Sequence, residues 1–212
     1  MDYKASLKHL SSKLNETELH EIATMRPLER LDLANLGSND IEGYQVFTPR
    51  FIVEQMSDAI GPDMLNFKKT VLEPTSGDGA FTTYILAKRL ETITDDFELN
   101  ALRALSTIYS TEMDKELIKK QRDNILTVLR GFFASKEMVF EGDLLEVFKI
   151  MVFKNFVWAM FNSEDPITML LPIVMYKMPD AEQGNFKSLD FPVWEINEDR
   201  IMFHEEGIDV EW

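Results

Sequence analysis

The sequence predicts an α/β fold with a mostly parallel sheet and a helical lead-in. Residues 70–72 form a short apolar run that Pro74 stops, and helix-forming residues fill positions 80–90, so a strand precedes a helix. Residues 105–111, rich in β-branched and aromatic side chains, predict a second strand. Strands that alternate with helices are typical of a parallel sheet.

The lead-in is predicted to occupy residues 1–42, with one domain over residues 43–212. Positions 2–14 and 17–36 have roughly helical spacing of apolar residues, and Pro27 predicts a break or kink in the second helix. The apolar faces of these helices suit either packing on the domain or contact with a partner. The sequence leaves both alternatives open.

A helix is predicted at residues 50–60. Thr48 fits its N-cap and Pro49 fits its first position. Its apolar face is expected to consist of Phe51, Ile52, Met56 and Ile60.

Two glycines follow the first strand. Gly77 and Gly79 permit a tight turn and a close approach of backbone amides to a ligand. The turn opens onto the N-terminus of a helix, where N–H groups face outward. Strand, glycine turn and helix together predict a nucleotide or nucleoside pocket at the carboxyl ends of the strands. The turn lacks the lysine of a P-loop.

An acidic residue, Glu112, ends the second strand. A carboxylate at this place can accept hydrogen bonds from both hydroxyls of a ribose. The alternative is a solvated acidic cap of the next helix, predicted at residues 114–129. Residues 137–140 then predict a third strand that leads into Gly142 and Asp143.

Four stretches together resemble the motifs of the S-adenosylmethionine-dependent DNA adenine-N6 methyltransferases. Residues 72–81 are similar to motif I, residues 45–49 to motif X, residues 142–145 to motif III, and Glu112 to the acid that follows the second strand. The four occur in the family's order. The resemblance spans residues 44–145, and it implies the Rossmann-like, three-layer fold of class I methyltransferases with S-adenosylmethionine as cofactor.

The resemblance also implies roles for individual residues. Thr48 and Pro49 would meet the methionine end of the cofactor, and Glu112 would hold the ribose. Met113 would pack against the adenine ring, and Asp143 would accept a hydrogen bond from its exocyclic amine. The cofactor-binding residues implied in this way are Thr48, Pro49, Glu73, Thr75, Gly77, Asp78, Gly79, Phe81, Glu112, Met113, Asp143 and Leu144.

The catalytic motif of the family is missing. That motif joins a polar residue to two prolines and an aromatic residue, which orient and stack on a flipped target base. No Pro-Pro pair occurs in this chain, and a predicted strand at 156–161 is followed only by Asn162, a weak candidate for the polar position. The catalytic residue is therefore unassigned. No metal is expected, because methyl transfer from a sulfonium requires only alignment with a nucleophile.

The C-terminal part is predicted to contain a fifth strand at 168–176 and a hairpin formed by residues 191–196 and 201–205. Residues 178–212 carry ten acids against Lys187 and Arg200, and the net charge of the whole chain is −15. A surface that binds a DNA duplex normally carries a basic stripe. The sequence therefore argues against this chain binding DNA unaided. The acidic charge suits solubility, a basic protein partner or a surface that imitates DNA.

Composition narrows the remaining choices. The chain has no cysteine, and its three histidines lack metal-ligand spacing, which argues against thiolate and histidine metal sites. Without a long apolar run or a signal-peptide core, it is predicted to be cytoplasmic.

Two functions follow from this sequence. The first is a methyltransferase-like protein of a restriction-modification type, which binds S-adenosylmethionine and whose methyl transfer to DNA is reduced or needs a partner subunit. The alternative is a catalytically inactive, methyltransferase-derived binding or regulatory protein, which engages a protein through its acidic surface.

Overall fold

The computed structural model describes residues 1–29, 48–158, 160–161, 175–176 and 191–204. This part of the chain is mixed α/β. Its centre is a three-stranded parallel sheet formed by β1 (Val71–Glu73), β2 (Ile108–Glu112) and β3 (Phe156–Trp158), in the order β1-β2-β3. β2 is buried along its whole length, as a central parallel strand should be.

The described part of the chain contains seven α-helices. They are α1 (Tyr3–Ser11), α2 (Glu16–Thr24), α3 (Arg50–Ile60), α4 (Ala80–Glu91), α5 (Phe97–Leu105), α6 (Lys115–Ser135) and α7 (Gly142–Asn155), with a 3₁₀ turn at Gly61–Leu65. Of these helices, α4, α6 and α7 pack on the sheet. None of the helices within these described ranges is long and apolar enough to cross a bilayer.

Two small antiparallel pairs lie outside the parallel sheet. β4 (Met160–Phe161) pairs with β5 (Met175–Tyr176), and β6 (Val193–Ile196) pairs with β7 (Ile201–His204). The second pair confirms the predicted hairpin. Its turn is closed by Asn197, whose side-chain oxygen accepts hydrogen bonds from the backbone N–H groups of Asp199 and Arg200.

The lead-in helices pack on the rest of the chain. α1 contacts α7 and β7, and the Lys13 ammonium donates to the carbonyl of Phe203 at 2.8 Å. The backbone N–H of Arg26 donates to the Asp123 carboxylate at 3.0 Å. Of the two alternatives left open by the sequence, the structure shows docking on the domain.

The second lead-in helix is shorter than predicted. α2 ends at Thr24, because Met25 is extended and Pro27 follows two residues later. The prediction of a helix was therefore wrong for residues 25–29. Residues 30–36 lie outside the described ranges.

α3 begins and ends where the sequence predicts, but two details differ. Pro49 takes the cap position, and no side chain caps the helix, so Thr48 is not its cap. The helix packs on α4 along a narrow strip centred on Val53 and Ser57. Much of the predicted apolar face is exposed instead, namely Phe51, Met56 and Ile60.

The strand predicted at residues 137–140 was wrong. The backbone N–H of Met138 donates to the carbonyl of Phe133 at the end of α6, and the Phe140 ring stacks on Phe133 with centroids 5.0 Å apart. This local packing satisfies the segment without a sheet ladder. The third strand of the sheet is Phe156–Trp158, which the sequence predicted as the fourth.

The guanidinium of Arg89 is fully buried and joins three parts of the chain. Its five N–H groups donate to the carbonyls of Met64, Asn66, Lys69 and Ala104 and to the hydroxyl of Thr107, at 2.8–3.2 Å. A guanidinium has five N–H donors, and all five are therefore used. Burial lowers the pKa of Arg89 to about 10, which still leaves it charged at neutral pH.

We expect Arg89→Met to lower the free energy of unfolding by at least ~3 kcal/mol, because each carbonyl left buried without a donor costs about 1–3 kcal/mol. Urea unfolding followed by circular dichroism measures it. Arg103→Met, at an exposed position of neighbouring α5, is the matched control and should change stability by less than ~0.5 kcal/mol. Equal effects of the two substitutions would contradict the role given to Arg89.

Candidate functional site

The carboxyl edge of the parallel sheet carries the glycine turn. Gly77 and Gly79 have φ angles of +56° and +87°, a region that other residues rarely adopt. A Cβ at Gly79 would lie 2.5 Å from the Cγ of Gln121 on α6. The turn therefore needs glycine at this place for two reasons, its backbone conformation and the closeness of α6.

Glu112, at the end of β2, is hydrogen-bonded to the turn. Its Oε2 accepts from the backbone N–H of Gly77 at 2.8 Å, and its Oε1 accepts from the N–H of Asp114 at 2.9 Å. The side chain is only 8% exposed. Asp114, not Glu112, caps α6. The alternative of a solvated helix cap is therefore wrong, and the carboxylate fixes the turn against the neighbouring strand.

Gln121, on α6, links the glycine turn, β2 and α4, and this role was not predicted from the sequence. Its Oε1 accepts from the hydroxyls of Ser76 (2.8 Å) and Ser110 (3.1 Å), and its Nε2 donates to Thr82 (2.9 Å). The signal available in the sequence was a glutamine on the same helical face as the apolar Ile118 and Ile125.

Asp78 points into the protein. It is 2% exposed, and its carboxylate lies 3.0 Å from the Lys120 ammonium. Its backbone carbonyl accepts from the buried Asn124 amide at 3.0 Å. Both partners are on α6, so this helix holds the tip of the glycine turn at two points.

Glu73, the last residue of β1, is the most perturbed acid of the edge. Its Oε2 is buried and accepts no hydrogen bond from the described residues. Burial raises the pKa of this carboxyl to about 8; a hydrogen bond from the Thr82 backbone opposes the rise, and the charges of Asp78 and Glu112 add to it. Glu73 is therefore mostly protonated at pH 7, and a bound cation would favour its ionised form.

The other residues predicted near the turn are more peripheral. Thr75 is exposed and Phe81 is partly buried at the start of α4. Thr48 is partly buried and Pro49 is exposed, and both precede α3, which packs on α4. Met113 directly follows Glu112 and is 60% exposed.

Asp143 and Leu144 are not brought to this edge. Asp143 is exposed in the first turn of α7, and Leu144 is buried in the core. Phe140, just before them, stacks on Phe133 near the C-terminus of α6, whereas Glu112 precedes the N-terminus of that helix. A helix of 21 residues is about 31 Å long. The structure thus separates Asp143 from the glycine turn.

The remaining predictions lie outside the described residues. Asn162 is one of them, as is most of the acidic region 178–212 except residues 191–204. Within the described ranges, no group of three or more His, Asp or Glu side chains has the arrangement of a metal site.

Comparisons of this chain with models of known protein families, with curated proteins and with solved structures each find no match. The site is therefore interpreted from its own geometry.

We expect Gly79→Ala to destabilise the protein by about 1–2 kcal/mol, because the new Cβ adds backbone strain and meets Gln121. Gly131→Ala is the matched control, since Gly131 lies inside α6 with open space around it. That substitution should stabilise the protein by about 0.5–1 kcal/mol. Thermal unfolding of both variants measures the contrast, and the same sign for both would be inconsistent with the observed turn.

Glu73 predicts a pH-dependent stability. Its pKa is raised in the folded state from an ordinary value of 4.5 to about 8, so the folded protein binds this proton more tightly. The resulting stabilisation is complete below about pH 4.5 and is lost as the pH rises through 8. Relative to wild type, Glu73→Gln should therefore gain roughly 3–5 kcal/mol between pH 5 and pH 9.

Urea unfolding of both proteins at pH 5, 7 and 9 tests this. Glu141→Gln, at an exposed position, should track the wild type across the range. A constant difference between Glu73→Gln and wild type at every pH would refute the raised pKa.

Proposed function

We propose that this chain binds S-adenosylmethionine at the carboxyl edge of its parallel sheet, as a reduced relative of the DNA adenine-N6 methyltransferases with a Rossmann-like class I methyltransferase fold. The observation that carries the proposal is the 2.8 Å hydrogen bond between the Gly77 N–H and the Glu112 carboxylate. It joins a glycine turn between β1 and α4 to an acid at the end of the adjacent parallel strand.

This arrangement suits a nucleoside. Oε1 and Oε2 of Glu112 each have one backbone donor, and a carboxylate oxygen can accept two hydrogen bonds. Acceptor capacity therefore remains for ribose hydroxyls. Because backbone groups hold the carboxylate in place, a ligand would not have to order it, which lowers the cost of binding.

The charge of the edge supports a cationic ligand. S-adenosylmethionine carries a sulfonium and an ammonium group against one carboxylate. Three acids, Glu73, Asp78 and Glu112, lie close enough for the latter two to raise the pKa of Glu73. A phosphate-bearing nucleotide would meet repulsion from the Glu112 carboxylate, whereas Glu73 is mostly protonated at pH 7 and Asp78 is paired with Lys120.

Methyl transfer to DNA is proposed only in a reduced form or with a partner subunit. The chain lacks the paired prolines of the family's catalytic motif, and its net charge is −15. A basic partner could supply both the phosphate contacts and the pocket for the target base. S-adenosylhomocysteine, the product of such a transfer, would occupy the same site.

A second candidate is a binding or regulatory protein without chemistry of its own. The missing proline pair favours it, as does the excess of acids in residues 178–212. In this candidate the acidic region would contact a basic protein, and the glycine turn could still hold the cofactor.

Calorimetric titration with S-adenosylmethionine and S-adenosylhomocysteine tests the proposal. We expect micromolar dissociation constants for the wild type. Glu112→Gln should weaken binding by at least about tenfold, because a charged acceptor contributes about 1.5–3 kcal/mol. Asp143→Asn is the matched control and should leave the affinity unchanged, since Asp143 lies apart from the turn.

Circular dichroism must first show that both variants are folded, because Glu112 also holds the glycine turn. No heat of binding with either ligand for the wild type would overturn the proposal. So would a loss of affinity in Asp143→Asn together with normal binding in Glu112→Gln. Methyl transfer to adenine-containing DNA, alone and with candidate basic partners, separates the two candidate functions.

A further inference from the structure

The edge that carries Glu112 also carries a tryptophan. Trp158 is the last residue of β3, and the strand register pairs it directly with Glu112 on β2. Paired residues of neighbouring parallel strands project from the same side of a sheet, and the strands lie about 4.8 Å apart. The indole therefore starts one strand spacing from the carboxylate proposed to hold a ribose.

The orientation of this indole is fixed by two contacts. Its Nε1–H donates to the backbone carbonyl of Met113 at 2.9 Å. The Lys115 ammonium lies 3.8 Å from the ring centroid and covers one face by a cation–π contact. Trp158 packs partly against the core and stays partly exposed, beside the exposed Met113.

We infer that Trp158 forms one wall of the subsite for the adenine ring, with Met113 next to it. This inference rests on the proposed cofactor site, since it names the residue that recognises the base there. A base attached to a ribose held by Glu112 lies within one strand spacing of the sugar, which is where the indole starts. Lys115 covers one face of the ring, and the purine stacks on the part of the indole that stays exposed.

The same inference assigns a new residue to adenine recognition in place of Asp143. The sequence resemblance gave recognition of the adenine to Asp143, which lies near the far end of α6. At the carboxyl edge, the neighbour of β2 ends in Trp158 instead. Stacking on an aromatic ring contributes about 1–3 kcal/mol per base and needs no acid.

Titration of the full chain with S-adenosylhomocysteine, followed by tryptophan fluorescence and calorimetry, tests the inference. The chain has three tryptophans, Trp158, Trp194 and Trp212. We expect the ligand to quench the wild type. Trp158→Phe should lose most of this quenching but retain much of the affinity, because phenylalanine also stacks. Trp158→Ala should bind about tenfold more weakly.

Trp194→Phe is the matched control, because Trp194, on β6, donates to Asn155 at the end of α7. Asn155 in turn donates to the carbonyl of Ile108 at the start of β2, the opposite edge of the sheet. Trp194→Phe should keep both the quenching and the affinity. Titration with adenosine separates stacking from a general structural effect, since loss of the stack should weaken adenosine and S-adenosylhomocysteine by the same factor.

The outcomes separate the two proposals. If the wild type binds and Trp158→Ala binds equally well, the adenine subsite lies elsewhere and the cofactor site stands. If Trp158→Phe quenches as the wild type does, the inference also fails. If the wild type binds neither ligand, the cofactor site and the inference fall together.

Discussion

Arg89 is the interaction on which the sheet depends. A cation buried without a carboxylate is costly, and here it is stabilised by four carbonyls and one hydroxyl from segments that flank the amino ends of β1 and β2. The guanidinium therefore ties α4 to the segments that precede β1 and β2.

At the carboxyl edge of the sheet, side chains of α6 hold the glycine turn in place. Gln121 and Asn124 use side-chain amides to hold the glycine turn, and Arg122 donates to the carbonyl of Phe156 at the start of β3. These three buried polar residues of α6 thereby contact the glycine turn, β2 and β3. Buried polar networks of this kind specify a single arrangement, because a shift of one residue would leave several groups without partners.

The sequence was sufficient for features whose signal is local. The glycine turn, the acid after β2, the start of α3 and the C-terminal hairpin all depend on residues adjacent in the chain. The strand predicted at residues 137–140 was wrong, because aromatic and β-branched side chains also suit a segment packed between two helices. The conformation of this segment depends on the stacking of Phe140 on Phe133, a contact with α6 that local sequence does not reveal.

In the candidate site, too, residues with a local signal were predictable, and residues that depend on contacts between elements were not. Gly77, Gly79 and Glu112 were predictable because turn and strand end follow from neighbouring residues. Gln121 and Trp158 were not, since their roles arise from the register of α6 and β3 against β2, which the sequence alone does not reveal.

The docking of α1 against the C-terminal hairpin has a consequence for synthesis on the ribosome. The hydrogen bond from the Ile201 N–H to the Ser6 hydroxyl joins residues 195 positions apart. α1 precedes β7 in the chain, so the part of its surface that packs on β7 stays uncovered until β7 is made. Closing so long a loop costs chain entropy before any contact offsets it. Docking of α1 on β7 is thereby delayed until residues 201–204 have left the ribosome.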